Sequence, residues 1–256
     1  GERTLFAGEI TDRRTMLADQ PDRDELNGRI DLASVAFGTE GYAPLGAEVG
    51  RFISQGLPEI GLVDGAEALL RFENGIRFGG GVGAYPLPFP GRASGDDIGA
   101  HAFFDYAADA SRSFAATVGV QKTWHTGAPD RDLLLLRAEL RPRQELWFYA
   151  SAKVDYYTSG DTRKSPGIEF TETMLQARYD AARIGGGISY THFAWPDLLR
   201  AEYQLLPDDL VRNGHVDRVS LSGWVRPVQD LRLTGRTDFW QDQDGSGTAL
   251  ELGADW

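Results

Sequence analysis

Apolar and polar residues alternate with a period of two through most of this sequence, in segments of about ten residues broken by turn residues. That period sends successive side chains to opposite sides of a strand. Between Glu145 and Tyr157, Leu146, Phe148, Ala150, Ala152, Val154 and Tyr156 fall on one face, and Ser151, Lys153 and Asp155 on the other with Trp147, Tyr149 and Tyr157. From Asp230 to Trp240, Leu231, Leu233, Gly235, Thr237 and Phe239 oppose Asp230, Arg232, Thr234, Arg236 and Asp238. Leu134, Leu136, Ala138 and Leu140 oppose Arg137, Glu139 and Arg141, and Ile98, Ala100, Ala102, Phe104 and Tyr106 oppose Asp97, His101 and Asp105.

Such a pattern fits two all-β folds: a soluble sandwich that buries its apolar faces, and a transmembrane barrel that turns them to lipid. No run approaches the roughly 18 to 20 apolar residues of a spanning helix, so a membrane protein of this sequence must cross with strands. Connection lengths favour the barrel, because short turns at 73–75, 108–112, 141–144, 181–183 and 226–229 alternate with mostly longer connections. The segments predict strands near 3–11, 27–38, 44–54, 62–73, 75–84, 97–108, 112–125, 132–141, 144–158, 168–181, 183–194, 214–226, 229–241 and 247–256. Leu199, Ala201, Tyr203 and Leu205 also alternate. A spanning strand there would reverse the sidedness of everything before it, so 195–213 is assigned to one outer connection, either a strand extension or a segment folded into the lumen. The expectation is a single domain over 1–256, a transmembrane antiparallel up-and-down β-barrel of about 14 strands, with about 12 or 16 as alternatives and both chain ends periplasmic.

Two hexads, Arg141-Pro142-Arg143-Gln144-Glu145-Leu146 and Arg226-Pro227-Val228-Gln229-Asp230-Leu231, share the pattern R-P-x-Q-acid-L, each at a short turn before a long alternating segment. Proline suits such a place because it fixes φ and lacks a donor. Tyr85, Trp124, Tyr156, Tyr157, Trp195, Phe239 and Trp240 fall near expected outer strand ends, and Trp147, Phe148 and Trp256 near inner ends, as in aromatic girdles. Residues 1 to 4 have neither the basic start nor the apolar core of an export signal, so a signal peptide has been removed or none existed.

In the last segment Thr248, Leu250, Leu252, Ala254 and Trp256 share a face and end on an aromatic residue. This resembles the C-terminal insertion signal of bacterial outer-membrane β-barrel proteins. The resemblance implies the outer membrane, contact with its lipid and lipopolysaccharide, and recognition of Leu250, Leu252 and Trp256 by the barrel assembly machinery. Gly50-Arg51-Phe52 and Gly61-Leu62-Val63-Asp64-Gly65-Ala66 resemble strand and turn patterns of specific-solute porins, over too short a stretch to carry a solute across.

Within a barrel the charged face lines the lumen: Arg137, Glu139, Lys153, Asp155, Arg178, Arg218, Arg232, Arg236 and Asp238, whose transverse field selects small polar solutes. The opposing reading of these charges is a network of salt bridges that closes the interior. A net charge of −12 argues against nucleic acid as a partner. Without cysteine there is no thiolate metal site. The four histidines are dispersed without ligand spacing, and no metal or cofactor is expected. Asp242-Gln243-Asp244-Gly245-Ser246-Gly247 copies the opening of a calcium loop, with Asp242, Asp244 and Ser246 as ligands, but Gly253 stands where the twelfth-position acid belongs. A hairpin turn is the simpler reading. Gly79, Gly80, Gly81 and Gly83, like Gly185 to Gly187, precede no helix pattern and read as sites of close packing in strands. Ser189 and His192 lie three apart, on opposite faces of a strand, which disfavours a hydrolase. The leading expectation is a porin-like channel that is not an enzyme. The alternatives are a closed barrel acting as anchor or scaffold, and a soluble all-β carbohydrate-binding protein.

Overall fold

The computed structural model describes residues 2–15, 23–38, 43–86, 95–109 and 112–256. The strands are β1 (Glu2–Thr15), β2 (Arg23–Phe37), β3 (Leu45–Ile53), β4 (Leu62–Arg71), β5 (Ile76–Ala84), β6 (Asp97–Ala107) and β7 (Phe114–His125). They continue as β8 (Ala128–Arg143), β9 (Leu146–Tyr157), β10 (Gly167–Asp180), β11 (Ile184–Ala194), β12 (His215–Val228), β13 (Leu231–Asp242) and β14 (Ser246–Asp255). The 14 strands form one sheet in sequence order, the up-and-down arrangement that the alternation predicts. Strand ends shift by a few residues, and the expected turn at 108–112 lies partly outside the described residues.

Contacts divide the chain into two compact units: residues 1–73, 77–103 and 121–129, and residues 74–76, 104–120 and 130–256. In the first unit Val49, Leu70, Phe78, Val82 and Ile98 stand exposed on one face. The other face buries Phe52, Val63 and Tyr85, with Ile60 packed against them. Residues 54–61 fold onto this face. Ser54 Oγ accepts the Leu57 N–H at 3.0 Å, Leu57 is fully buried, and a 3-10 turn at Pro58–Ile60 leads into Gly61 at φ 82°. Tyr85 belongs to this core, not to the aromatic girdle assigned to it from sequence. Its hydroxyl meets His101 Nδ1 at 3.1 Å, and His101 Nε2 meets Glu67 at 2.8 Å. Gly81 leaves room for the ring, since a Cβ there would lie 2.8 Å from His101.

In the second unit Leu136, Leu140, Phe148, Tyr156, Leu175 and Ile188 are exposed on one face while Asp105, Thr117, Asp155 and Asp238 are buried on the other. Tyr157 and Trp147 also turn to the polar side. Tyr157 is buried and Trp147 Nε1 donates to Glu139 at 2.8 Å, so neither belongs to a girdle. A bulge between Phe170 and Glu172 inserts Thr171 into β10, so the apolar phase moves from Ile168 and Phe170 to Thr173, Leu175 and Ala177. The two R-P-x-Q hexads adopt the same structure. Arg143 pairs with Leu146 and Val228 with Leu231 across two-residue turns, and Arg141-Pro142 and Arg226-Pro227 each oppose a single residue of the next strand. Proline thus sits at a bulge, where its missing N–H costs no ladder bond. The arginine N–H before each proline donates to the neighbouring hairpin, from Arg141 to Ser113 O at 2.7 Å and from Arg226 to Arg183 O at 2.8 Å.

Residues 195–213 are not a strand: they hold α1 (Ala201–Gln204) and α2 (Asp208–Asn213). β11 and β12 already pair with each other along their lengths, so no strand edge is open to the alternating segment. Each unit exposes a wide apolar face. The strands pair in sequence order as one sheet, so the two packed sheets of a sandwich do not form.

Candidate functional site

All nine residues assigned to the lumen from sequence lie in the second unit. They fall at three levels along the strands of the polar face. Near the connection at 158–166, Arg131 clamps Asp155 with Nε–Oδ1 at 2.5 Å and Nη2–Oδ2 at 2.9 Å, and the Thr171 hydroxyl bonds the same carboxylate. Lys153 pairs with Glu172 at 2.7 Å and Lys164 with Glu169 at 2.8 Å. The 195–213 connection is pinned here as well. Arg163 pairs with Asp197 at 2.7 Å, both buried, and the Leu199 N–H donates to Asp130 at 2.6 Å.

Further along, Asp238 gathers Arg218 at 2.9 Å, Arg236 at 3.0 Å and the Ser220 hydroxyl. Arg137 donates to Thr117 Oγ1 at 3.1 Å, and Thr117 to Asp105 at 2.7 Å.

At the short-turn end Glu139 accepts from Trp147 and from Arg141, and Trp147 stacks on Tyr149 at 5.8 Å. Arg178 pairs with Asp180, which also accepts the Trp224 Nε1–H at 3.2 Å. Arg232 lies 4.5 Å above the Trp224 ring. Trp147, Arg178, Asp180, Trp224, Arg232 and Arg236 line a cavity of about 490 Å³, with Ser222 among the residues that complete it. Gly185 makes space for the indole, because a Cβ there would stand 2.3 Å from Trp224 Nε1. Arg131, Glu172, Asp180 and Trp224 were not picked out from sequence. The partners of Arg131, Glu172 and Trp224 become neighbours only through strand register, which one sequence does not specify, whereas Asp180 shares a strand and a face with Arg178 and parity could have found it.

The structure corrects one expectation about histidine. His192 and His215 are not dispersed: both rings approach Asp217, at 2.9 and 3.9 Å, and they stack 6.3 Å apart, while the Tyr190 hydroxyl donates to Asp217 at 2.6 Å. Among the described residues no group of three His, Asp or Glu is placed to hold a metal. Asp242, Asp244 and Ser246 belong to the β13–β14 hairpin. The Asp242 carboxylate accepts the N–H groups of Asp244 at 2.8 Å and Gly245 at 2.9 Å, so it caps the turn. Leu250, Leu252 and Trp256 are strongly exposed.

No family model and no curated protein matches this sequence. Among solved structures, the chain is similar to OprB of Pseudomonas putida in its high-pH form. The TM-score is 0.53 at 9% identity, over 89% of this chain and 72% of that one. The fold is that of an antiparallel up-and-down β-barrel. A second match is the outer membrane channel DcaP of Acinetobacter baumannii, with a TM-score of 0.48 at 12% identity, over 99% of this chain and 79% of that one.

Proposed function

We propose that the chain is a porin-like channel of the bacterial outer membrane, passing small polar solutes along the face that carries Arg137, Glu139, Lys153, Asp155, Arg178, Arg218, Arg232, Arg236 and Asp238. The observation that carries this is the division of a single sheet into an exposed apolar side and a charged, hydrogen-bonded side. In water each half-exposed apolar side chain would forgo roughly 1 kcal/mol, so about ten of them already match the whole stability of a domain, about 5–15 kcal/mol. Lipid removes that cost. In each unit the apolar face also carries a polar cluster toward the ends of the strands that meet at a long connection. Arg51 with Asp64 does so in one and His192 with Asp217 in the other, as expected at a headgroup layer. On this reading lipid and lipopolysaccharide meet the apolar face, and the assembly machinery recognises Leu250, Leu252 and Trp256.

A closed barrel serving as anchor or scaffold is the second reading, favoured by the first unit, where Phe52, Leu57, Val63 and Tyr85 fill the polar-side face. Single-channel recording of refolded protein in planar bilayers separates the two. The channel reading expects reproducible conductance steps, and Arg232→Gln with Arg236→Gln shifting the reversal potential in a salt gradient toward cation selectivity. A folded, inserted but silent protein overturns it in favour of the scaffold.

A further inference from the structure

We infer that the cavity at the short-turn end of the second unit is a subsite for small hydroxylated carboxylates, an inference that rests on the channel reading. The chain carries a net charge of −12, yet the lining of this cavity holds three guanidiniums, Arg178, Arg232 and Arg236, against one carboxylate, Asp180. Just beyond it, Asp238 is shared between Arg236 and Arg218, so two cations draw on one anion.

The guanidiniums are held in place and still accessible. Arg178 is tied to Asp180 through Nε and its side chain is 65% exposed; Arg236 holds Asp238 through both Nε and Nη2 and is 49% exposed, which leaves its Nη1 side to a ligand and makes Arg232 the fork a carboxylate meets first. Arg232 is steadied by the Trp224 ring beneath it, and its enclosed Nε has no hydrogen-bond partner. A planar guanidinium presents a fork of N–H donors that matches a carboxylate in two parallel bonds, which an ammonium cannot do. Ser189 and Ser222 add neutral hydroxyls to the same lining, suited to the hydroxyl groups of a sugar acid. The cavity's size falls within the roughly 300–1,000 Å³ of small-molecule sites.

Two further carboxylates bear on the balance. Glu251 and Asp255 stand opposite Arg236 and Arg232 in the β13–β14 register, but the ion pair of Arg236 goes to Asp238 and the cation of Arg232 to Trp224. They lie beside the cavity, not in its lining, and lower its affinity for anions without occupying the forks.

The test is equilibrium titration of refolded protein in detergent micelles, read by tryptophan fluorescence, with sodium glucuronate against glucose at constant ionic strength. Glucuronate should give a saturable change at concentrations about tenfold below any response to glucose. Arg232→Gln and Arg236→Gln should each weaken it about tenfold, and Arg232→Lys nearly as much, because charge without the fork does not restore two bonds. Glu251→Gln should tighten it. The subsite is overturned by equal response to glucose, by no response in folded wild-type protein, or by Arg→Lys variants that fold and bind unchanged. Because this titration needs no conductance, the two readings fail separately. A conducting barrel that ignores glucuronate loses only the subsite, and a silent barrel that binds it loses only the channel.

Discussion

Trp224 is held by neighbours that act differently: Arg232 at 4.5 Å and Arg226 at 6.0 Å from the ring centre, Asp180 accepting its N–H, and Gly185 leaving the space it fills. Gly185→Ala should therefore push the indole off Asp180. The expected result is a shifted tryptophan emission maximum and a loss of roughly 1–3 kcal/mol in urea unfolding, the usual range for overpacking. Arg163 and Asp197 form the buried pair that ties the 195–213 connection down. Removing one partner of such a pair costs about 3–5 kcal/mol. Arg163→Ala should thus make that connection the first site of limited proteolysis, while circular dichroism of the sheet stays unchanged. The chemistry of single residues was partly legible in the sequence. Arg232 and Arg236 followed from parity alone, since one strand fixes which of its own residues share a face. The meeting of His192 and His215 at Asp217 did not, because it depends on which β12 residue stands opposite which β11 residue.

At the scale of elements, the hexads show why proline is admitted only at certain places. Pro142 and Pro227 occupy bulges next to tight turns, where ladder bonding is already interrupted. Pro227→Ala should be nearly silent. Ala150→Pro, in the middle of β9 between Ala138 and Leu175, should cost about 3 kcal/mol or more, because it removes a ladder bond and its ring cannot be accommodated. Loss of heat-resistant mobility on cold gels would report the difference. Strands were legible because their signal is local and repeats every second residue. The bulge at Thr171 left a readable mark, a change of phase between Phe170 and Thr173. Connections were less legible. The alternation from Leu199 to Leu205 imitates a strand; sidedness argues against a spanning strand there, and the pairing of β11 with β12 leaves it no edge between them.

At the scale of the whole molecule, the solvent on the apolar face is what separates a membrane barrel from any other sheet, and substitution by charge measures it directly. Ile188 sits mid-strand in β11 and is 50% exposed; Ile168 sits at the start of β10, near the long connection, and is 73% exposed. If water covered both, Arg at either site would change stability by only about 0.5 kcal/mol, as at ordinary surface positions, and the more exposed Ile168 would tolerate it better or equally. If lipid covers them, depth decides instead of exposure. Ile188→Arg should then cost about 2–4 kcal/mol and Ile168→Arg about 0–1, measured as urea unfolding from phospholipid vesicles. Equal, small penalties at the two positions would remove the membrane from the account, and with it the reason for one face of the sheet to be apolar while the other is charged.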